Sequence, residues 1–126
     1  MRAMLLALCL LAAPLAALAE PTPPPVRAEI DALLARMVAS ACEFNRNGSW
    51  YDADRARKHL LGKLNYIEKR GTITSAEQFI ELAASGSSFS GKPYLVKCGA
   101  GAPVESKAWL TSELKSVRAA KPAPAK

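Results

Sequence analysis

The sequence contains one histidine, His59, and three cysteines, Cys9, Cys42 and Cys98. No C-x-x-C or H-x-x-x-H spacing occurs, so no set of side chains is laid out to hold a tetrahedral ion, and neither metal nor cofactor is expected. A G-x-S-x-G elbow for a nucleophilic serine is also missing. Acidic residues number 11 against 17 basic ones. They fall mostly at helix starts or exposed positions, which leaves no carboxylate pair to face across a cleft as glycoside hydrolysis requires. No internal repeat is visible. Beyond residue 19 no apolar run approaches the roughly 20 residues that span a bilayer, so no membrane span is expected after processing.

What is present begins with an address. Arg2 precedes an apolar run from Met4 to Leu18 that ends in "ALA" before Glu20, the pattern of a cleavable export signal. The run carries Pro14 and is too short for an anchor, and Leu8 stands before Cys9 where a lipid-modified cysteine wants a small residue. The expected division is a signal peptide over 1–19, a Pro-rich linker over 20–25, one domain over 26–118 and a disordered Ala/Pro/Lys tail over 119–126. The net charge of +6, less Arg2, Lys121 and Lys126, leaves +3. A mildly basic exported domain suits an anionic envelope component or an envelope protein as partner rather than nucleic acid. Cys42 and Cys98 survive processing, and an oxidising destination makes a disulfide between them the default.

Apolar periodicity predicts helices. Ile30, Leu33, Leu34, Met37, Val38 and Ala41 recur at steps of three and four, with Glu29 and Asp31 near the positive helix end and a stop near Cys42. Asn47 and Gly48 read as the turn that follows. Asp52 caps a second helix with Ala53, Ala56, Leu60, Leu64 and Ile67 inward, closed by Lys69, Arg70 and Gly71. Thr74 and Glu77 form a T-x-x-E capping box for a third, with Ala76, Phe79, Ile80 and Ala83 inward and Gly86 beyond its end. Pro93 breaks the helical pattern, and "YLVKC" reads as one short extended segment. Trp109, Leu110, Leu114 and Val117 supply the last helix. The expected fold is all-α: about four helices and one extended segment, stapled by Cys42–Cys98.

The blocks "FNRNGSWY", "ARKHLLGKLNY", "TSAEQFIE", "SSFSGKPYLVKC" and "WLTSELKSVR" stand in order across the domain and together resemble the YfeK-like family of small bacterial envelope proteins, a domain of unknown function. The matching positions include Arg46, Asn47, Gly48, His59, Lys63, Ser87, Ser88, Ser90, Gly91, Pro93, Tyr94, Trp109 and Leu110. The resemblance implies a single exported domain with a periplasmic home and no assigned activity, and it designates no functional residue.

On a helical wheel Asp52, His59, Lys63 and Tyr66 share one strip bordering the buried stripe of the second helix. This strip, Arg46 from the preceding turn, and Ser88, Lys92 and Tyr94 from the Ser-rich loop form the candidate ligand site. There Arg46, Lys63 and Lys92 would attract an anion, Ser88 would hydrogen-bond it and Tyr94 would give a rigid surface. The plainer account is a boundary strip whose long polar side chains lie over apolar neighbours. A hydrolase using Ser88 and His59 has the residue types but no recognisable arrangement, so a non-enzymatic binding or interaction module is expected. The spacing Ser90-Gly91-x-x-Tyr94 also resembles the loop by which periplasmic lysozyme inhibitors enter the lysozyme cleft. Most simply, Gly91 and Pro93 shape a turn that delivers Tyr94 and Val96 to the core and Cys98 to its partner.

Overall fold

The structure, a computed structural model, describes residues 21–120; the expected signal peptide and most of the expected tail lie outside the described residues. The chain runs α1 (Pro24–Ser40), β1 (Glu43–Arg46), β2 (Ser49–Tyr51), α2 (Ala53–Glu68), α3 (Ala76–Phe79) with a π-helical turn over Ile80–Ala84, β3 (Leu95–Lys97), β4 (Val104–Glu105) and α4 (Ser106–Ala120). The fold is therefore mixed α/β rather than all-α. Its antiparallel sheet has the order β2-β1-β3-β4, and only β3 coincides with the single extended segment expected.

The missed strands begin at a helix end. α1 stops at Ser40 because Ala41 turns left-handed at φ 54°, and the chain enters β1 two residues later. Asn47 and Gly48 follow at φ 52° and 86°. Two consecutive positive φ values are those of a type I′ hairpin turn, which asparagine followed by glycine adopts at low cost. Phe44 pairs with Tyr51 across this hairpin and with Val96 of β3 on its other side. Cys42 and Cys98 are disulfide-bonded with their Cα atoms 4.4 Å apart, one residue beyond the Glu43–Lys97 pair of the β1–β3 ladder.

Most of each helical stripe is buried as its periodicity requires, but Val38 stays 43% exposed and Ala41, past the end of α1, is exposed as well. Ile30, Leu33, Leu34 and Met37 of α1, Leu60 and Leu64 of α2, Phe79 and Ile80, and Leu110 and Leu114 of α4 form one core with Phe44, Tyr94 and Val96. Glu29 and Asp31 do not neutralise a first turn, because α1 begins at Pro24, inside the segment expected to be linker. Proline suits this position, since the first helical N–H groups lack intrahelical partners anyway. Glu29 instead binds Arg118 at 2.9 Å, and Asp31 binds Arg27 at 3.0 Å. At the other end α4 continues through Ala119 and Ala120, two residues into the expected tail.

The cap of α3 is also shifted by one residue. Ser75, not Thr74, accepts from the Gln78 N–H at 3.1 Å, while Gln78 Oε1 receives the Thr74 N–H at 2.7 Å. Glu77 is released from capping and pairs with Arg118, which thereby joins α3, α1 and α4.

Candidate functional site

Three pieces of backbone converge beside α2: the β1–β2 hairpin, the loop over 85–94, and the helix face bearing His59 and Lys63. The π-helical turn ends with Ser85 donating from Oγ to the Ile80 carbonyl at 2.7 Å, and Gly86 then bridges to Pro93. Between them Ser87 organises the loop. Its Oγ accepts the N–H groups of Phe89 at 3.2 Å and Ser90 at 3.1 Å, and its carbonyl accepts that of Gly91 at 2.9 Å. Gly91 sits at φ 74°, where glycine has no steric penalty. Asn47 fastens the loop to the hairpin, donating to Ser87 Oγ at 3.3 Å and accepting from Ser90 Oγ at 2.5 Å.

Gly86 is required by contact. A Cβ there would stand 2.9 Å from the Lys92 carbonyl oxygen, a backbone atom tied into the same loop. Gly86→Ala is expected to force the loop away from α2 and to destabilise the domain by about 1–3 kcal/mol. Urea unfolding measures this, and an unchanged midpoint would show that the loop yields freely.

At the centre lies the Tyr94 hydroxyl. His59 Nε2 is 3.1 Å from it and Lys63 Nζ is 3.2 Å from it. Lys63 also donates to the Gly86 carbonyl at 3.0 Å. On the far side of the imidazole, Arg46 hydrogen-bonds His59 Nδ1. A guanidinium only donates, so Nδ1 must accept and the neutral ring carries its proton on Nε2. That proton and one from Lys63 then occupy both lone pairs of Tyr94 Oη, leaving the tyrosine O–H as a donor in its own right. Lys63 likewise retains one of its three protons. What the network has left to offer the cleft that Arg46, Lys63 and Tyr94 line is donors only: the tyrosine O–H, the third Lys63 proton and the remaining guanidinium N–H groups.

This cleft holds about 400 Å³ and is lined by Arg46, Asn47, Ser49, Tyr51, His59, Lys63, Ser87, Ser88, Phe89 and Tyr94. The Arg46 guanidinium lies 4.7 Å and that of Arg55 5.3 Å from the centre of the Tyr51 ring, contacts that hold Arg46 at the cleft while Arg55 stays outside its lining. Burial first, then the charges of Arg46 and Lys63, pushes the His59 pKa below its ordinary value. Burial first, then Arg46, lowers that of Lys63. Burial raises Tyr94, against the opposing pull of Arg46. No carboxylate among the described residues relieves this. Asp31, Asp54, Glu29, Glu68, Glu77, Glu81 and Glu113 are held in ion pairs elsewhere, Asp52 caps α2 by accepting the Arg55 N–H at 2.8 Å, and Glu43 on β1 and Glu105 on β4 do not line the cleft.

Of the expected site residues, Arg46, His59, Lys63 and Tyr94 are thus joined by hydrogen bonds, and Ser88 lines the cleft beside them. Lys92 does not line it; its side chain is exposed. Tyr94 is buried, with 7% of its surface exposed, whereas Phe89 is fully exposed, so the tyrosine faces inward and the phenylalanine is what the loop presents. Both ring nitrogens of His59 are engaged by Arg46 and Tyr94, and no serine hydroxyl is hydrogen-bonded to them. Asn47, Ser87 and Tyr51 were absent from the sequence-derived site. The Asn-Gly pair marked the turn, but only the hairpin pairing aims Asn47 at the loop.

Residues 24–118 match a family model described as "Family of unknown function (DUF5329)". The uncharacterized protein YfeK of Salmonella typhimurium is 47% identical over 51 residues, covering 40% of this chain and 41% of that protein. The chain therefore matches less than half the length of this relative. No solved structure matches.

Proposed function

The chain belongs to the family of unknown function DUF5329, and from its own side chains we propose that it is an exported, non-enzymatic binding protein whose cleft receives an anionic group. The observation that carries this reading is the convergence of Arg46, His59, Lys63 and Tyr94 as donors, without a carboxylate from the described residues. Placing cations together and partly out of water costs stability unless a counter-charge arrives. An oxyanion seated against Lys63 Nζ, the Tyr94 O–H and the Arg46 guanidinium would supply it through charge-assisted hydrogen bonds. Export is supported by the signal-type segment over 1–19 and by the Cys42–Cys98 bridge, which suits an oxidising compartment. An anionic envelope component is the partner this chemistry favours.

Acidity provides the test. The folded state holds the His59 pKa below its ordinary 6.5, so as pH falls the unfolded chain takes up the proton first. The associated stability is complete above about pH 6.5 and is lost as pH falls from there through the folded value. A bound anion favours the imidazolium and reverses the penalty. Sulfate, a dianion throughout this range, is expected to raise Tm at low-millimolar concentration and by more at pH 5 than at pH 7.5. His59→Gln should abolish the pH dependence of that increment, and Arg46→Gln should reduce the increment itself. Thermal unfolding with sodium sulfate against sodium chloride at equal ionic strength measures it. An identical response to the two salts at every pH would refute the reading.

A further inference from the structure

The interior of α2 contains Gly62, although glycine lowers helix stability relative to alanine. A helical glycine is commonly explained by a neighbour that occupies the place of its missing Cβ. Here a Cβ would meet no atom within 4 Å outside its chain neighbours and the backbone of its own helix, so packing within the described fold does not call for the glycine. What adjoins it is open space: a trough of about 500 Å³ whose walls include Gly62, Tyr66, Ile67 and Leu82. Tyr66 and Leu82 are exposed to 59% and 49%, and Arg70 stacks 3.6 Å from the centre of the Tyr66 ring, holding it in place.

The trough is continuous with the cationic cleft. His59, Lys63 and Ser88 line both, so Lys63 stands at the junction with polar groups on one side and apolar groups on the other. Neither lining contains an acidic residue. A ligand that was only an anion would leave Tyr66, Ile67 and Leu82 facing water. An apolar ligand would leave the cations unanswered. We propose that the site takes a small amphipathic anion, with its acidic head on Arg46, Lys63 and the Tyr94 O–H and its apolar chain laid over Gly62 between Tyr66 and Leu82. This rests on the anion-receiving cleft and specifies the class of ligand that occupies it.

Methyl sulfate and octyl sulfate carry the same head and the same charge, and both remain monomeric at sub-millimolar concentration. Titration followed by amide chemical shifts is expected to give octyl sulfate at least a tenfold tighter Kd, since a fully buried methylene is worth roughly fourfold. 1-Octanol should bind at least tenfold more weakly than octyl sulfate. Gly62→Leu fills the trough with a residue that favours helix. It should leave methyl sulfate affinity within about twofold of wild type and remove the octyl advantage, without lowering Tm. Gly62→Ala should raise Tm by a few degrees, confirming that the helix itself has no need of glycine. Equal affinity for the two sulfates, equal affinity for octanol and octyl sulfate, or an octyl advantage that survives Gly62→Leu would each overturn the proposal. Binding of methyl sulfate without an octyl gain leaves the anionic cleft standing and sinks only the apolar extension. Binding of neither sulfate sinks both.

Discussion

Reducing Cys42–Cys98 is expected to lower the stability of the domain by about 4 kcal/mol. The bridge closes a sequence separation of 56 residues, and the chain-entropy model assigns a loop of that length roughly this cost. Domains of this size are stable by about 5–15 kcal/mol in total, so the loss is a large fraction, and Tm should fall on the order of 20 °C. Function should follow stability. The bridge clamps the end of the β1–β3 ladder, from which β1 runs on to Arg46, while Tyr94 immediately precedes β3. Calorimetry with and without a phosphine reductant measures the first effect, and sulfate titration of the reduced protein the second. A shift below about 5 °C would mean that the ladder and core hold these strands without covalent help. Intact mass of the protein isolated from envelope extract tests the exported state, for which a chain starting at Glu20 with no alkylatable thiol is expected.

The helices were legible because each carries enough apolar residues at helical spacing to mark a face. Ile30 through Met37 and Leu110 through Leu114 lie where their period places them. The sheet was harder to read for a physical reason. Its strands are two to four residues long, and β1 buries only Phe44 outright while Asn45 and Arg46 stay half-buried, too few positions to show a period of two. The Asn-Gly pair was the available signal. Coming after a long helix it served equally as a helix-ending turn, and only the strand partners on both sides distinguish the two. The α3 cap failed from degeneracy: Thr74-x-x-Glu77 and Ser75-x-x-Gln78 overlap, and the claim of Arg118 on Glu77 is a tertiary fact.

The site was half legible on the same grounds. His59 and Lys63 are four apart on one helix, and local geometry suffices to put them side by side. Arg46 reaches them through the hairpin, which the sequence concealed, and Tyr94 reaches them because the Gly86–Pro93 bridge turns the loop back on α2. For Lys92 the sequence offers only its charge. The direction of its side chain depends on how Ser87 wraps the loop, which periodicity does not encode. Tyr66 belonged to the same helical strip but has a different use, as a wall of the apolar trough.

Lys63→Met should separate function from stability most sharply. The lysine is half-buried beside Arg46 and His59, and burial followed by the charge of Arg46 lowers its pKa, so the charged form sits there at a cost to the fold. Methionine has similar length and helix preference, packs flexibly against the Tyr94 ring, and carries no charge. It forgoes two donated hydrogen bonds, to Gly86 O and Tyr94 Oη, but Tyr94 keeps its bond from His59 and Gly86 lies in a partly solvated loop. Tm should therefore stay level or rise by a few degrees, while sulfate affinity falls at least tenfold, the size expected from removing a charge-assisted contact of about 1.5–3 kcal/mol. The His59 pKa should move up, because one of the two cations that depress it is gone, and NMR titration of its ring reads this directly. Lys63→Arg keeps the charge and should retain most of the affinity. If Lys63→Met instead unfolds the domain while Lys63→Arg is well folded, the ammonium is a structural tie to the loop rather than a ligand group. If Lys63→Met folds and binds sulfate like wild type, the anion does not sit at the junction of cleft and trough.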